Sequence, residues 1–147
     1  LEAGAASESF DLAEYYNTFS RGASVEGTDV IGTNATISFT KNTGSSNPAY
    51  YETDVRTYVN NLINIKATNN IKSVEITCTS ASYANNISYA TLTVDDGASA
   101  SASIASTTGT ITISGDSKNL TLRVPTKDEA GASSNPQIRI TSIKINY

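Results

Sequence analysis

Residues 136–147 read PQIRITSIKINY. Ile138 and Ile140 share one parity and Ile143, Ile145 and Tyr147 the other, so the run alternates, slips by one residue and alternates again. Alternation with period two puts successive side chains on opposite faces of a sheet and marks a strand with one face buried. One slip inside such a run predicts a β-bulge near Thr141 and Ser142, where an extra residue returns the apolar set to the inner face.

The same period recurs toward the N-terminus. Ile37 with Phe39, Ile63 with Ile65 and Ala67, Val74 with Ile76 and Cys78, Leu92 with Val94, Ile111 with Ile113, and Leu120 with Leu122 and Val124 all alternate, mostly with polar residues. KNTGSSNP, TNN, VDDG, SGDSKN and EAGASSNP lie between them and concentrate the residues that favour turns. Seven or eight short strands so punctuated predict an all-β chain, an antiparallel β-sandwich of jelly-roll type. Residues 8–19, ESFDLAEYYNTF, fit either a helix, with Leu12, Tyr15, Tyr16 and Phe19 at helical spacing, or a strand SFDL and a turn. The low-complexity run Gly97–Gly109 reads as an edge strand or a loop.

A length of 147 residues suits one domain, assigned to residues 9–147 behind a Gly/Ala/Ser-rich tail at residues 1–8. Only 16% of residues are charged and the net charge is -4, with Lys and Arg scattered singly along the sequence. That distribution offers no basic stripe for phosphates, so nucleic acid is not an expected partner. The apolar runs fall far short of the ~20 residues a bilayer span needs, which argues against membrane insertion. LEAGAASES lacks the layout of a signal peptide, so a secreted form is expected to have lost its leader already.

Chemistry is sparse. The absence of histidine removes the commonest general base, the usual triads and most catalytic zinc sites. The single cysteine, Cys78, sits in the alternating run VEITCT and reads as a small core hydrophobe. Three carboxylate pairs remain for acid–base work, Glu52 with Asp54, Asp95 with Asp96 and Asp128 with Glu129, and each lies in turn-rich sequence where solvated charge is the norm. No catalytic residue is assigned, and no cofactor is expected beyond a structural calcium held by Asp95 and Asp96 of VDDG. GDSKN lacks phosphate-loop spacing.

The stretch 47–59, NPAYYETDVRTYV, is the candidate ligand site. Tyrosine offers a flat apolar face and a hydroxyl, which suits stacking on a sugar ring. In an extended segment Tyr50 and Tyr51 point to opposite faces, so at most one faces outward, while Glu52, Asp54, Arg56 and Tyr58 share a phase. The bland reading is a strand-to-strand ion pair under a rim tyrosine. Tyr83 and Tyr89, flanking ANNIS, form a second aromatic candidate.

The runs ATISFTKNTGSSNPAYY, VRTYVNNLINIKA, IKSVEITCTS and IRITSIKINY, with SFDL as a first strand, resemble a jelly-roll or galactose-binding-like module of gut bacterial surface proteins of Bacteroidetes and Firmicutes. That family commonly carries a Trp-x-Gly stretch where this chain reads SIASTTGTITI, and this chain has no tryptophan. The resemblance implies an extracellular or cell-surface accessory module more than an activity. The expected function is attachment without catalysis, by glycan binding on a shallow tyrosine-lined face. The alternative is a self-assembling subunit of a filament, appendage or virion, with the tail packed on a neighbouring subunit.

Overall fold

Period-two alternation becomes twelve strands in the computed structural model, which describes residues 6–147. In chain order they are β1 (Ser7–Asp11), β2 (Val30–Ile31), β3 (Ala35–Thr40), β4 (Ala49–Tyr50), β5 (Val55–Tyr58), β6 (Leu62–Ala67), β7 (Ser73–Cys78), β8 (Thr91–Val94), β9 (Ser99–Ala105), β10 (Thr108–Ser114), β11 (Asn119–Arg123) and β12 (Gln137–Asn146). One sheet of seven strands runs β4-β5-β12-β7-β10-β9, with β1 also on β12, and it faces a sheet of five in the order β2-β3-β6-β11-β8. All pairings within both sheets are antiparallel. The chain is therefore an all-β antiparallel sandwich.

β12 is the spine of the larger sheet. Its register against β7 shifts between Ile140 and Ser142, which leaves Thr141 as the extra residue of a bulge, and the Thr141 hydroxyl donates to the Thr77 carbonyl. The strand changes partner at the same point: Ile140 opposes Val55 of β5, whereas Ser142 opposes Asp11 of β1. The bulge so turns one strand into a bed for two, while Ile138, Ile140, Ile143 and Ile145 all stay buried.

The inward positions form one core. Ile37 and Phe39 of β3, Ile63 and Ile65 of β6 and Leu120 and Leu122 of β11 meet Val74, Ile76 and Cys78 of β7 and Ile111 of β10. Truncating one such buried Ile or Leu to Ala costs about 2–5 kcal/mol. Cys78 has its thiol pushed up to about 12, by burial first and then by Asp54.

Several sequence expectations need correction. Strand and helix both occur near the start: β1 pairs with β12 as far as Asp11, whose carboxylate then caps a single turn, α1 (Leu12–Tyr15). The domain does not begin at residue 9, because Ser7 and Glu8 belong to β1. The Glu8 carboxylate accepts from the backbone N–H groups of Thr33 and Asn34 and from the Tyr147 hydroxyl, tying the first strand to the last residue. Residues 1–5 of the expected tail lie outside the described residues. Two further helices interrupt the strands, α2 (Ala81–Asn85), which runs into a 3-10 turn at Asn86–Tyr89, and α3 (Lys127–Ala130). Gly97–Gly109 contains β9, an edge strand as one of its two readings had it.

Candidate binding site

β4 and β5 are joined by a tight reversal that the sequence does not announce. The Tyr51 N–H donates to the Asp54 carbonyl, and the Thr53 N–H donates back to Tyr51 across Glu52, whose φ is +70°. This is a γ-turn centred on a non-glycine residue, a strained conformation costing on the order of 1–3 kcal/mol. The turn breaks the expected single line of Glu52, Asp54, Arg56 and Tyr58. Glu52 swings out to an exposed ion pair with Arg21 at 3.4 Å, and Asp54 is buried at 1% exposure. Tyr50 is buried too: it stands opposite inward Val55 and lies edge-on to Phe19 in the core, while Ala49, opposite Arg56, faces the other way. Tyr50 is a core residue with no surface for a ligand.

Tyr51, Arg56 and Tyr58 do come together. The Arg56 guanidinium lies 3.9 Å from the Tyr51 ring centroid, and Arg21 covers the same ring at 5.1 Å. The Tyr58 phenol is pushed up from its ordinary value, by burial first and then by its hydroxyl contact with Tyr51, against the opposite pull of Arg56 and Arg139. Across the strand pair, Arg56 stands opposite Arg139 and Tyr58 opposite Gln137. α2 then places Tyr83 over Arg139, with 4.5 Å from guanidinium to ring centroid.

Three depressions run into one another here. The first, about 470 Å³, is bounded by Gly22, Ser24, Asn47, Tyr51 and Tyr58. Through Ser45, Ser46 and Tyr58 it meets a second of about 380 Å³, floored by Gly44, Asn60 and Gln137. That one shares Asn135, Pro136 and Gln137 with a third of about 310 Å³ beside Tyr83 and Asn86. The result is an elongated open groove lined by hydroxyls and amides, with Tyr51 and Tyr58 toward one end and Tyr83 at the other. Tyr89 is half exposed but does not line it.

Buried amides hold the walls. Asn61, fully buried, accepts from the Tyr58 N–H and donates to the carbonyls of Lys41 and Ser46, fixing the 41–46 loop against β5. A Cβ on Gly44 would lie 2.5 Å from the Val59 carbonyl oxygen, so the loop seats only with glycine there. The Asn86 side chain donates to the Gln137 carbonyl at 2.7 Å and pins the third depression. Sequence reading missed Asn61, Asn86, Gln137 and Arg139. Asn61 and Gln137 carry no local signal, and Arg139 meets Tyr83 only through the topology.

Of the remaining candidate carboxylates, Asp95 and Glu129 are clamps. Both oxygens of Asp95 accept, one from the Lys118 N–H at 2.9 Å and one from the Asn119 amide at 2.8 Å, and the backbone bond is the main cause of its lowered pKa. Asp95 thereby closes the loop after β8, while Asp96 is exposed. Among the described residues no three His, Cys, Asp or Glu side chains gather as metal ligands. Glu129 completes a capping box with Thr126 and grips Arg123 through both oxygens, which holds its pKa near 2. No protein-family profile and no curated protein matches the chain.

Proposed function

We propose that this chain is a non-catalytic attachment module, displayed outside the cell, that binds a glycan chain along the groove from Tyr51 to Tyr83. The observation that carries this reading is the continuity of the three depressions. A neutral, hydroxyl- and amide-lined trough with tyrosine rings at both ends suits an extended polymer of sugar rings better than a compact small molecule. Support for the absence of catalysis comes from the roles of the candidate acids: Asp54 is buried, Asp95 is a loop clamp and Glu129 is ion-paired. From β5 to β12 successive strands alternate between the two sheets except at the β9–β10 hairpin, which supports a jelly-roll reading of the sandwich and its kinship with galactose-binding-like modules.

A glycan array followed by calorimetry on the binders tests it. Binding in the micromolar to millimolar range that Tyr58→Ala weakens is expected; no binding to any polysaccharide at millimolar protein would refute the reading.

A second reading, a self-assembling structural subunit, is favoured by β9. This edge strand, SASASIA, has one open side and carries no charge, proline or bulge, the devices that normally block strand addition. A second copy of the chain would add there. Sedimentation across concentration would show oligomers that Ser101→Lys abolishes; a monomer at all concentrations excludes this reading.

A further inference from the structure

Three of the four arginines in a chain of net charge -4 gather on one outer face. Arg56 and Arg139 are direct cross-strand partners, and in both strands the outward parity carries them while Val55, Thr57, Ile138 and Ile140 point inward. Like charges placed opposite on a strand pair repel and destabilise it. Among the described residues the one carboxylate within 4 Å of either is Asp54, whose Oδ2 lies 3.6 Å from the Arg56 Nε, outside hydrogen-bond range, and both atoms are buried without a hydrogen-bond partner. Arg139 spends its Nε on the neutral Gln137 side chain at 2.9 Å. Among the described residues the terminal nitrogens of both guanidiniums have no hydrogen-bond acceptor.

The rings hold these cations in place. Tyr51 stacks on Arg56 and Tyr83 on Arg139, so each guanidinium plane is fixed before any ligand arrives. A guanidinium fork matches the paired oxygens of a carboxylate or a sulfate ester, and a held fork loses little freedom on binding one.

We propose that Arg56 and Arg139 form an oxyanion subsite on the outer face beside the groove, against its lining residues Tyr51, Gln137 and Tyr83, and that the glycan it takes is acidic, bearing a uronate carboxylate or a sulfate ester. This rests on the glycan-groove reading. It adds a charge requirement: Tyr51 and Tyr58 receive sugar rings on one side of the pair, Tyr83 on the other, and the acidic substituent lies between them against the two arginines.

The test compares an oligogalacturonate with its fully methyl-esterified form, which is neutral and of the same shape, and with a sulfated galactan oligosaccharide of similar length. Calorimetry on the unmodified protein should give at least about ten-fold tighter binding for the acid than for the ester, or for the sulfated chain if sulfate is the source. Added salt should shrink the gap. Arg139→Gln should remove the preference, so that acid and ester bind alike, with Arg139→Lys intermediate because it keeps the charge without the fork. Equal binding of all three overturns the oxyanion subsite and leaves the groove reading standing. Binding of none overturns both. A preference for the charged chains that survives Arg56→Gln and Arg139→Gln together also overturns it, since the anion then sits elsewhere.

Discussion

The Arg56 guanidinium lies 3.9 Å from the centroid of the Tyr51 ring, which makes one side chain of the β4–β5 reversal the floor on which a β5 cation rests. Under the proposed glycan reading Tyr51 has two duties, as a sugar platform and as a support for Arg56. Tyr51→Ala should cost only about 0.5–1 kcal/mol of stability, the size of an exposed cation–π pair, while lowering glycan affinity about ten-fold. Tyr51→Phe keeps the stack and should retain most of the affinity. Urea denaturation and calorimetry on the same preparations separate the two effects, and equal affinity for the Ala variant would take Tyr51 out of the site.

Asn61 supports the groove without touching a ligand. Asn61→Ala strips the Lys41 and Ser46 carbonyls and the Tyr58 N–H of their partner, and should destabilise the fold by about 1–3 kcal/mol. Hydrogen exchange should quicken at Tyr58, whose N–H loses its acceptor. Unchanged exchange there would show that the wall is held by other contacts.

Cys78 should be inert in the native state. Burial and the nearby Asp54 push its thiol to about 12, so almost no thiolate exists near neutral pH and the sulfur is also covered. A disulfide-exchange reagent should label it only at the rate of unfolding, with full reaction in denaturant. Prompt labelling of the folded protein would contradict the packing of β7.

The Arg123–Glu129 pair predicts how stability responds to acid. Because the folded Glu129 pKa is depressed from 4.5 to about 2, first by the Arg123 hydrogen bond and then by the Thr126 N–H, the folded state binds its proton more weakly than the unfolded state. Its contribution is whole above pH 4.5 and is lost as pH falls toward 2. Glu129→Gln should flatten this part of the acid limb, and an NMR titration of the Glu129 carboxyl should move back toward its ordinary value in Arg123→Ala. A titration already near the ordinary value in the unmodified protein would contradict the pair.

How far the sequence could be read follows from where each signal lives. The parity slip at Thr141 was visible because a bulge leaves its mark in one strand, and the strand exchange it permits was not, because β1 and β5 lie far from β12 in the chain. β4 gave no alternation, since Ala49 and Tyr50 are both buried. α2 is five Ser-, Ala- and Asn-rich residues, too short to show a helical period, whereas Thr126 and Glu129 of α3 carry the spacing of a capping box that the turn-rich reading of this stretch passed over. Tyr51, Arg56 and Tyr58 were all candidates because one local stretch holds them, but their meeting on one face follows from the β4–β5 reversal. Tyr50 and Asp54 were misplaced because the γ-turn at Glu52 shifts the phase that alternation assumes. Arg139 joined the site only when two strands were laid side by side.

The central claim is that the Tyr51–Tyr83 groove is where this chain holds a polymer. Amide-resolved NMR during titration with an acidic oligosaccharide tests it most directly. The account predicts shifts concentrated at Ser45, Ser46, Tyr51, Tyr58, Tyr83 and Gln137, with β8 and β9 silent. Shifts confined to β9, or none at millimolar ligand, would contradict it.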